Sequence, residues 1–494
     1  MTTTLVRPGV NTTIDDRPRP KLVPTDTGLS LWIGLTERGP VGTAHEVNSL
    51  AGYVPRFGGR AGNETMYDSV DAYFRGGGSR LVISRVAGTA PVLATRTLND
   101  RAGVPVPTIR VDAESVGAWG NSLTVDIVNG VAANTFVIIV KRDGTEVERS
   151  YELVSPADAV TWSAVSAFVR VVDLASGTAA PNNNPAVVAN QALAGGTDDR
   201  ANALDPQWNT ALAAFTAAFG PGQVAAPGRT TQQMHRDIIV HCNNVQDRTP
   251  ILDGPDTASV STLDATMDAQ RAGPGDESYA GTFAPRIIIP GLTRNTTRTV
   301  PASALVCAAI ARADAAAGHA NVAPIGDNGI LSYALGVTQA WSDADRQTLN
   351  ETGLNVIGDP FGIGEITIYG WRTAADPAEQ PEWLYLNWQR FRMQLRAEGQ
   401  SIGKRFFGQT IDGAGRLLGR FKTAWSGRMK QLYDLGAVFG AAPAEAYRVN
   451  VDPPVNTVET AADFELNAEV TAKFSPFAEQ VHSIVVKVDL REAL

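Results

Sequence analysis

Hydrophobic positions along this chain change period several times, and each change predicts a different kind of element. The first 25 residues, MTTTLVRPGVNTTIDDRPRPKLVPT, carry Pro8, Pro18, Pro20 and Pro24, which forbid a helix. Val10, Thr12 and Ile14 alternate with Asn11 and Thr13, the period-two pattern of a short strand. A lone strand on a Pro-rich arm is either a frayed terminus or an arm that pairs with another sheet.

Four further stretches follow. Residues 26–88 read as α/β: Leu29 to Leu35 is a buried strand ended by the turn signal Glu37-Arg38-Gly39-Pro40, residues 64–75 are helical, and Arg80 to Val86 is a second strand. Gly76-Gly77-Gly78 suits a tight connection between the last two. Residues 89–194 turn β-rich, with TIRVDAES, NSLTVDIVNG and NTFVIIVKRDGTEVERSYEL as strands and Asp143-Gly144 as a hairpin turn. They predict a β-rich module inserted into the preceding domain, at the periphery and dispensable. Residues 195–375 alternate short apolar strands (DIIVHC at 237–242, RIIIPG at 286–291, LNVIG at 354–358, EITIYG at 365–370) with Ala-rich helical stretches such as SALVCAAIARADAAA. That alternation predicts a largely parallel or mixed sheet covered by helices.

Residues 376–494 complete the chain as an α+β unit. Pro381 to Phe407 is a long helical pattern with Leu384, Trp388, Phe391, Leu395, Ile402 and Phe406 at helical spacing. Arg390, Arg392, Arg396, Lys404 and Arg405 surround that stripe with only Glu398 opposing them, and Arg416, Arg420, Lys422, Arg428 and Lys430 follow. In the closing VHSIVVKVDLREAL, Ile484, Val486, Val488 and Leu490 face one side while Ser483, Lys487 and Asp489 face the other. The fold class is therefore multidomain α/β (α+β). An extended arm (1–25) leads to a mixed-sheet middle domain (26–88 plus 195–375), which carries an inserted β module (89–194). A C-terminal α+β domain (376–494) ends in a strand free for exchange.

Composition narrows the function. With 494 residues, 44% hydrophobic and 19% charged, the chain has ample material for several buried cores. A net charge of -9 argues against general nucleic-acid binding, which needs a concentrated basic surface. Two cysteines, Cys242 and Cys307, provide no disulfide framework and suit a reducing compartment. No apolar run approaches the roughly 20 residues that span a bilayer, and the N-terminus lacks a secretory apolar region, so no membrane insertion is expected.

Catalytic patterns are near misses. Gly399-Gln400-Ser401-Ile402-Gly403 matches G-x-S-x-G, which needs a strand-to-helix turn, yet it falls on the basic helical pattern, and only His482 follows. Gly399 to Lys404 is one residue short of a phosphate loop and lacks its Ser/Thr. FGIGE at 361–365 lacks the third glycine of a dinucleotide fingerprint. His241 and Cys242, read as neighbours on a strand, point to opposite faces and do not converge on a metal. Asp253 and Asp314 are the best isolated carboxylates for acid/base work, and nothing places them together. No catalytic residue, metal or cofactor is expected.

A series of motifs then aligns in order. RPGVNTTIDD resembles the "PGVY-x-x-E" opening of contractile phage tail sheath proteins, with Asn11 in place of Tyr and Asp15 or Asp16 in place of Glu. IGLTERGP (33–40), RFGG (56–59) and DAYFRGGGSRLVISRV (71–86) are similar to the sheath "GRAxRGP", "FGG" and "FFxNGGxxxxVVRV". LAGGTD (193–198) resembles the re-entry after the family's insertion, ILDGPD (251–256) its "ILDxP", and Val300-Pro301-Ala302-Ser303 its "VPPSG". IARADAAAGHANVAPIG (310–326) is similar to "ARTDxxRGxxxAPA", with AGHAN replacing "RGVW"; LNETGLNVI (349–357) and IYGWRT (368–373) resemble "LNxxGIN" and "VWGARTL".

The resemblance implies a non-enzymatic subunit that polymerises helically around an inner tail tube and contracts to drive it through a target envelope. Expected partners are further copies of itself, the tube protein, and baseplate and tail terminator proteins. The expected place is a virion tail assembled in the bacterial cytoplasm. The sheath of a tailocin or extracellular injection device is the alternative, and a hydrolase on the middle domain the remote one. Pro8, Gly9, Val10, Thr12 and Ile14 and the terminal Ile484, Val486, Val488 and Leu490 are expected to pair between subunits. Arg390, Arg392, Arg396, Lys404 and Arg405 are expected to face an acidic tube, or else to form a solvated face within the subunit.

Overall fold

The computed structural model describes residues 26–60, 66–273 and 275–483. Strands β1 (Ser30–Leu35), β2 (Ala44–Val47) and β3 (Leu81–Val86) begin the main sheet, with helices α1 (Leu50–Phe57) and α2 (Met66–Arg75) between β2 and β3. The turn from α2 into β3 needs glycine: a Cβ on Gly76 would sit 2.8 Å from Leu305 Cδ2, and Gly77 has φ +99°.

Residues 95–192 fold around a core of their own, which includes Trp119, Phe136 and Trp162. Its strands are β4 (Thr95–Asn99), β5 (Pro107–Ala113), β6 (Leu123–Asn129), β7 (Phe136–Arg142), β8 (Thr145–Arg149), β9 (Val169–Asp173) and β10 (Val188–Ala192). They form two antiparallel sheets, β4-β5-β9 and β10-β6-β7-β8, with α3 (Pro156–Ser163) alongside β9. Asp143 and Gly144 both have positive φ, +50° and +81°, as a two-residue hairpin requires. Arg38 and Arg85 tie these sheets to the main one. The Arg38 guanidinium lies 5.2 Å from the Trp119 ring and 4.9 Å from the Phe168 ring, and Arg85 Nη1 donates to Val116 O and Gly39 O.

After α4 (Asp205–Ala213) the chain re-enters the main sheet. β11 (Gly222–Ala225), α5 (Gln232–Val245), β12 (Arg248–Asp253), α6 (Val260–Arg271) and β13 (Gly281–Ala284) alternate in order. A small antiparallel sheet follows, β14 (Ile287–Pro290) between β15 (Thr297–Val300) and β16 (Gly336–Val337), with α7 (Ala302–Ala317) after β15. Then α8 (Asp343–Glu351) leads to β17 (Leu354–Gly358) and β18 (Thr367–Ile368). The main sheet has the order β18-β17-β13-β12-β11-β1-β3-β2, parallel except for its two antiparallel edges. Side chains alternate across it. Trp32, Ile251 and Phe283 join a core with α2 and α7, while Leu31, Ile33, Val224 and Leu252 join one with α4, α5 and α6. Arg298 in β15 clamps α2 by donating to Asp68 (2.8 Å) and Asp71 (2.5 Å).

The last unit holds α9 (Leu386–Lys404), α10 (Arg416–Asp434), α11 (Pro443–Ala446), the β19–β20 hairpin (Tyr447–Asn450 with Glu469–Ala472) and α12 (Val458–Ala462) around Phe391, Trp425, Met429 and Leu432.

Three local expectations are corrected. DIIVHC is not a strand: Met234, Ile238, Ile239 and Cys242 are buried at helical spacing within α5. The apolar triplet alone does not distinguish the two structures. RIIIPG is a strand, but of the small antiparallel sheet, and EITIYG contributes only Thr367 and Ile368 to β18. Residues 481–483 have no regular structure, and Ile484, Val486, Val488 and Leu490 lie outside the described residues, as do Pro8, Gly9, Val10, Thr12 and Ile14.

Candidate functional site

A parallel open sheet binds ligands beyond the carboxyl ends of its strands, where the strand order reverses. Here that point lies between β1 and β11. The chain returning from the small β sheets occupies it. Arg200, paired with Asp198, donates to Thr36 O past the end of β1, and beyond β11 Arg229 pairs with Asp205 and lies 5.1 Å from the Trp208 ring. Arg200 and Arg229 thus brace the carboxyl ends of β1 and β11 through ion pairs.

The isolated candidates for chemistry are also engaged. Asp253 is buried at the end of β12, where burial raises its pKa. Its oxygens accept from Gly228 N, Ser303 N and Ser303 Oγ (2.9, 2.8 and 2.7 Å), which caps α7. Ser401 sits inside α9, with no strand before it, and neighbouring Gly399 packs against Trp425. His241 and Cys242 are successive residues of a helix, and burial of Cys242 pushes its thiol pKa far up. Among the described residues no three His, Cys, Asp or Glu side chains cluster as metal ligands.

The basic helix divides sharply. Arg390 does not belong to an exposed face. It lies among Leu386, Asn387, Met393 and Gln394 on the buried side of α9, and it donates through Nη1 (3.0 Å) and Nη2 to both oxygens of Asp314. Positions two apart on a helix point in nearly opposite directions, so Arg390 and Arg392 cannot share a surface. Glu398 also turns inward and is held by Arg428, itself buried, at 2.6 and 2.8 Å. What remains exposed is cationic. Arg392 stacks 4.9 Å from Trp383, Arg396 donates to Val245 O at the end of α5, and Lys404 and Arg405 close the helix. None of these four forms a salt bridge among the described residues. With Glu398 consumed inside, this face has no carboxylate of its own helix to neutralise it.

The segments next to residues 25 and 484 are firmly rooted. Thr27 Oγ1 donates to Asp314 Oδ2 (2.5 Å), Gln223 Nε2 donates to Thr27 O, and Asp26 pairs with Arg80. Asp314 thus joins the start of the described chain to α9. At the other end, Glu479 accepts from Arg372 and from Tyr385 Oη (2.6 Å), and Asn321 Nδ2 donates to Ser475 O and Ala437 O. The β19–β20 hairpin pairs with no further named strand among the described residues, and just past β20 the chain bonds to residues 437–439 through Phe439 N to Lys473 O and Ser475 N to Ala437 O. Sequence reasoning missed the roots. The available signal was a charge on the buried stripe of a helix: Arg390 falls in register with Leu386 and Met393.

The architecture is a three-layer α/β/α core, β-rich sheets reached from between β3 and β11, and a C-terminal α+β unit. Solved structures carry the same fold. The sheath tail protein of Desulfitobacterium hafniense matches with a TM-score of 0.61 and 14% identity over 90% of this chain and 94% of that one. That of Listeria innocua matches with 0.61 and 13% over 91% and 96%. The PVC sheath of an extracellular contractile injection system, in its contracted state, matches with 0.56 and 15% over 99% of both chains. No family model matches the sequence. No curated protein is significantly similar to it.

Proposed function

We propose that this chain is a contractile tail sheath subunit that polymerises helically around an inner tube and contracts to drive that tube through a target envelope. The observation that carries this reading is the sheath fold across nine-tenths or more of the chain. Its partners are then further copies of itself, the tube, and the baseplate and terminator that bound the tail, and its place is the tail of a virion assembled in the host cytoplasm. Rigid-body motion between two lattices supplies the work, since a few kcal/mol per subunit sum over a long assembly.

Negative-stain microscopy of the purified chain tests this. Striated tubes are expected, and compact monodisperse particles at all concentrations would refute it. Deleting residues 1–20 removes the arm while leaving the Thr27 root. Folded monomers that form no tubes are expected, and full-length sheaths from the truncated chain would dismiss the arm as the linking element.

The exposed α9 cations are assigned to an acidic tube surface. Arg392→Glu combined with Arg396→Glu changes only exposed groups, so unfolding stability should shift by no more than about 1 kcal/mol. Co-assembly with the tube should be lost, and normal sheathed tails from the double variant would reject the assignment.

A further inference from the structure

A second pair of surfaces goes beyond the arms. The loop 359–366 joins β17 to β18 beyond one edge of the main sheet. Asp359 fastens it from within, with Oδ1 accepting from Ile363 N (3.1 Å) and Oδ2 from Gly364 N (2.7 Å). Those amides hold the Asp359 carboxyl below the usual carboxylate range. Gly362 and Gly364 take the positive φ the tight path needs, +67° and +83°. The result is an ordered backbone that presents two apolar side chains outward: Phe361 is 67% exposed and Ile363 66%. A fastened loop with an apolar tip is an anchor without a socket.

The C-terminal unit has a socket without an anchor. A groove of about 850 Å³ opens where α9 ends, lined by Phe407, Ile411, Leu417, Phe421, Phe464 and Leu466. Phe407 and Phe464 are 91% and 92% exposed at its mouth. Lys404 lines it as well, Arg405 adjoins it, and Arg420 reaches its Gln409. The α9 side of the rim is therefore basic, while exposed Asp463 and Glu465 flank Phe464 on the other side; the loop carries exposed Glu365 and the charge of Asp359. The two surfaces belong to different cores of the chain.

We infer that the Phe361–Ile363 tip of one copy seats in the Phe407–Phe464 groove of a second copy. Apolar burial supplies the attraction, and the acidic loop sets its orientation by turning toward the basic α9 side of the rim and away from Asp463 and Glu465. The contact joins two unlike patches, so each added copy leaves a free tip and a free groove, and the assembly propagates as a helix. This rests on the sheath reading and names an interface for it independent of the arms.

Cysteine pairing tests it, because Cys242 and Cys307 are buried and inert to a mild oxidant. Ile363→Cys and Phe407→Cys chains are mixed, assembled and oxidised. A cross-linked dimer is expected from the mixture and from neither variant alone. Phe361→Ser with Ile363→Ser should unfold at the wild-type midpoint yet form no tubes. Glu365→Arg should do the same and be restored by Arg420→Glu. Tubes in which the two cysteines fail to cross-link overturn this inference and leave the sheath reading standing. So does capture of Phe407→Cys by a cysteine in residues 1–25 or on a tube protein. A wild-type chain that forms no tubes overturns both.

Discussion

Replacing Arg390 by Met should cost about 3–5 kcal/mol of unfolding free energy. The side chains of Arg390 and Asp314 are 3% and 5% exposed, and their bidentate pair is joined by the Thr27 hydroxyl. Deleting the guanidinium leaves Asp314 buried and charged with one neutral donor. That donor cannot replace the lost Coulomb attraction in a region of low dielectric. The cost should come mainly from the orphaned charge, so Arg390→Met combined with Asp314→Leu should recover most of it. Urea unfolding of the disassembled chain measures both: a single-variant loss below about 1 kcal/mol, or a double variant no better than the single, would contradict the account. Asp314 also holds Thr27, so the single variant should loosen the root of the N-terminal arm, and tube formation should fall even where the monomer remains folded.

The same residue shows where sequence reading stopped. Strands buried on both faces appear as unbroken apolar runs, and LSLWIGL, RLVISRV and LNVIG are accordingly found as β1, β3 and β17. The Asp143-Gly144 turn is equally local, since its positive φ values follow from two residues. Arg390 is different. Its partner lies 76 residues away, and an arginine in an amphipathic pattern looks the same whether it meets water or a buried carboxylate. Arg428 with Glu398, and Arg298 with Asp68 and Asp71, were hidden for the same reason. β12 begins with Arg248 and contains Pro250, and it became a central strand because Arg248 finds Asp247 and three carbonyls at the edge of the core. The order of the motifs along the chain, a long-range property, pointed to the fold that the structure has, while individual side-chain roles depended on contacts no local pattern encodes.

Acid should destabilise the protein through His235. This ring lies wholly buried in α5, and burial lowers its pKa from 6.5 to about 4. The neighbouring amide fixes its protonation. Thr282 Oγ1 donates to Gln270 Oε1 (2.9 Å), an arrangement in which Gln270 Nε2 faces His235 Nδ1 (2.9 Å) and the neutral ring accepts there. A protonated ring would set two donors against each other. The folded pKa is depressed, so the unfolded chain takes up this proton first as pH falls. Stability from His235 is complete above about pH 6.5 and declines toward pH 4, by about 3 kcal/mol in all. His241, lowered to about 4 by burial, acts in the same direction. Thr282→Val preserves the side-chain volume but frees the Gln270 amide to turn its oxygen to the ring. In that variant the His235 pKa, followed by NMR, should rise above its wild-type value while burial still holds it below 6.5, and unfolding free energy between pH 7 and 4.5 should fall less steeply than in wild type. An unchanged His235 titration in the valine variant would show that the amide does not hold the ring neutral.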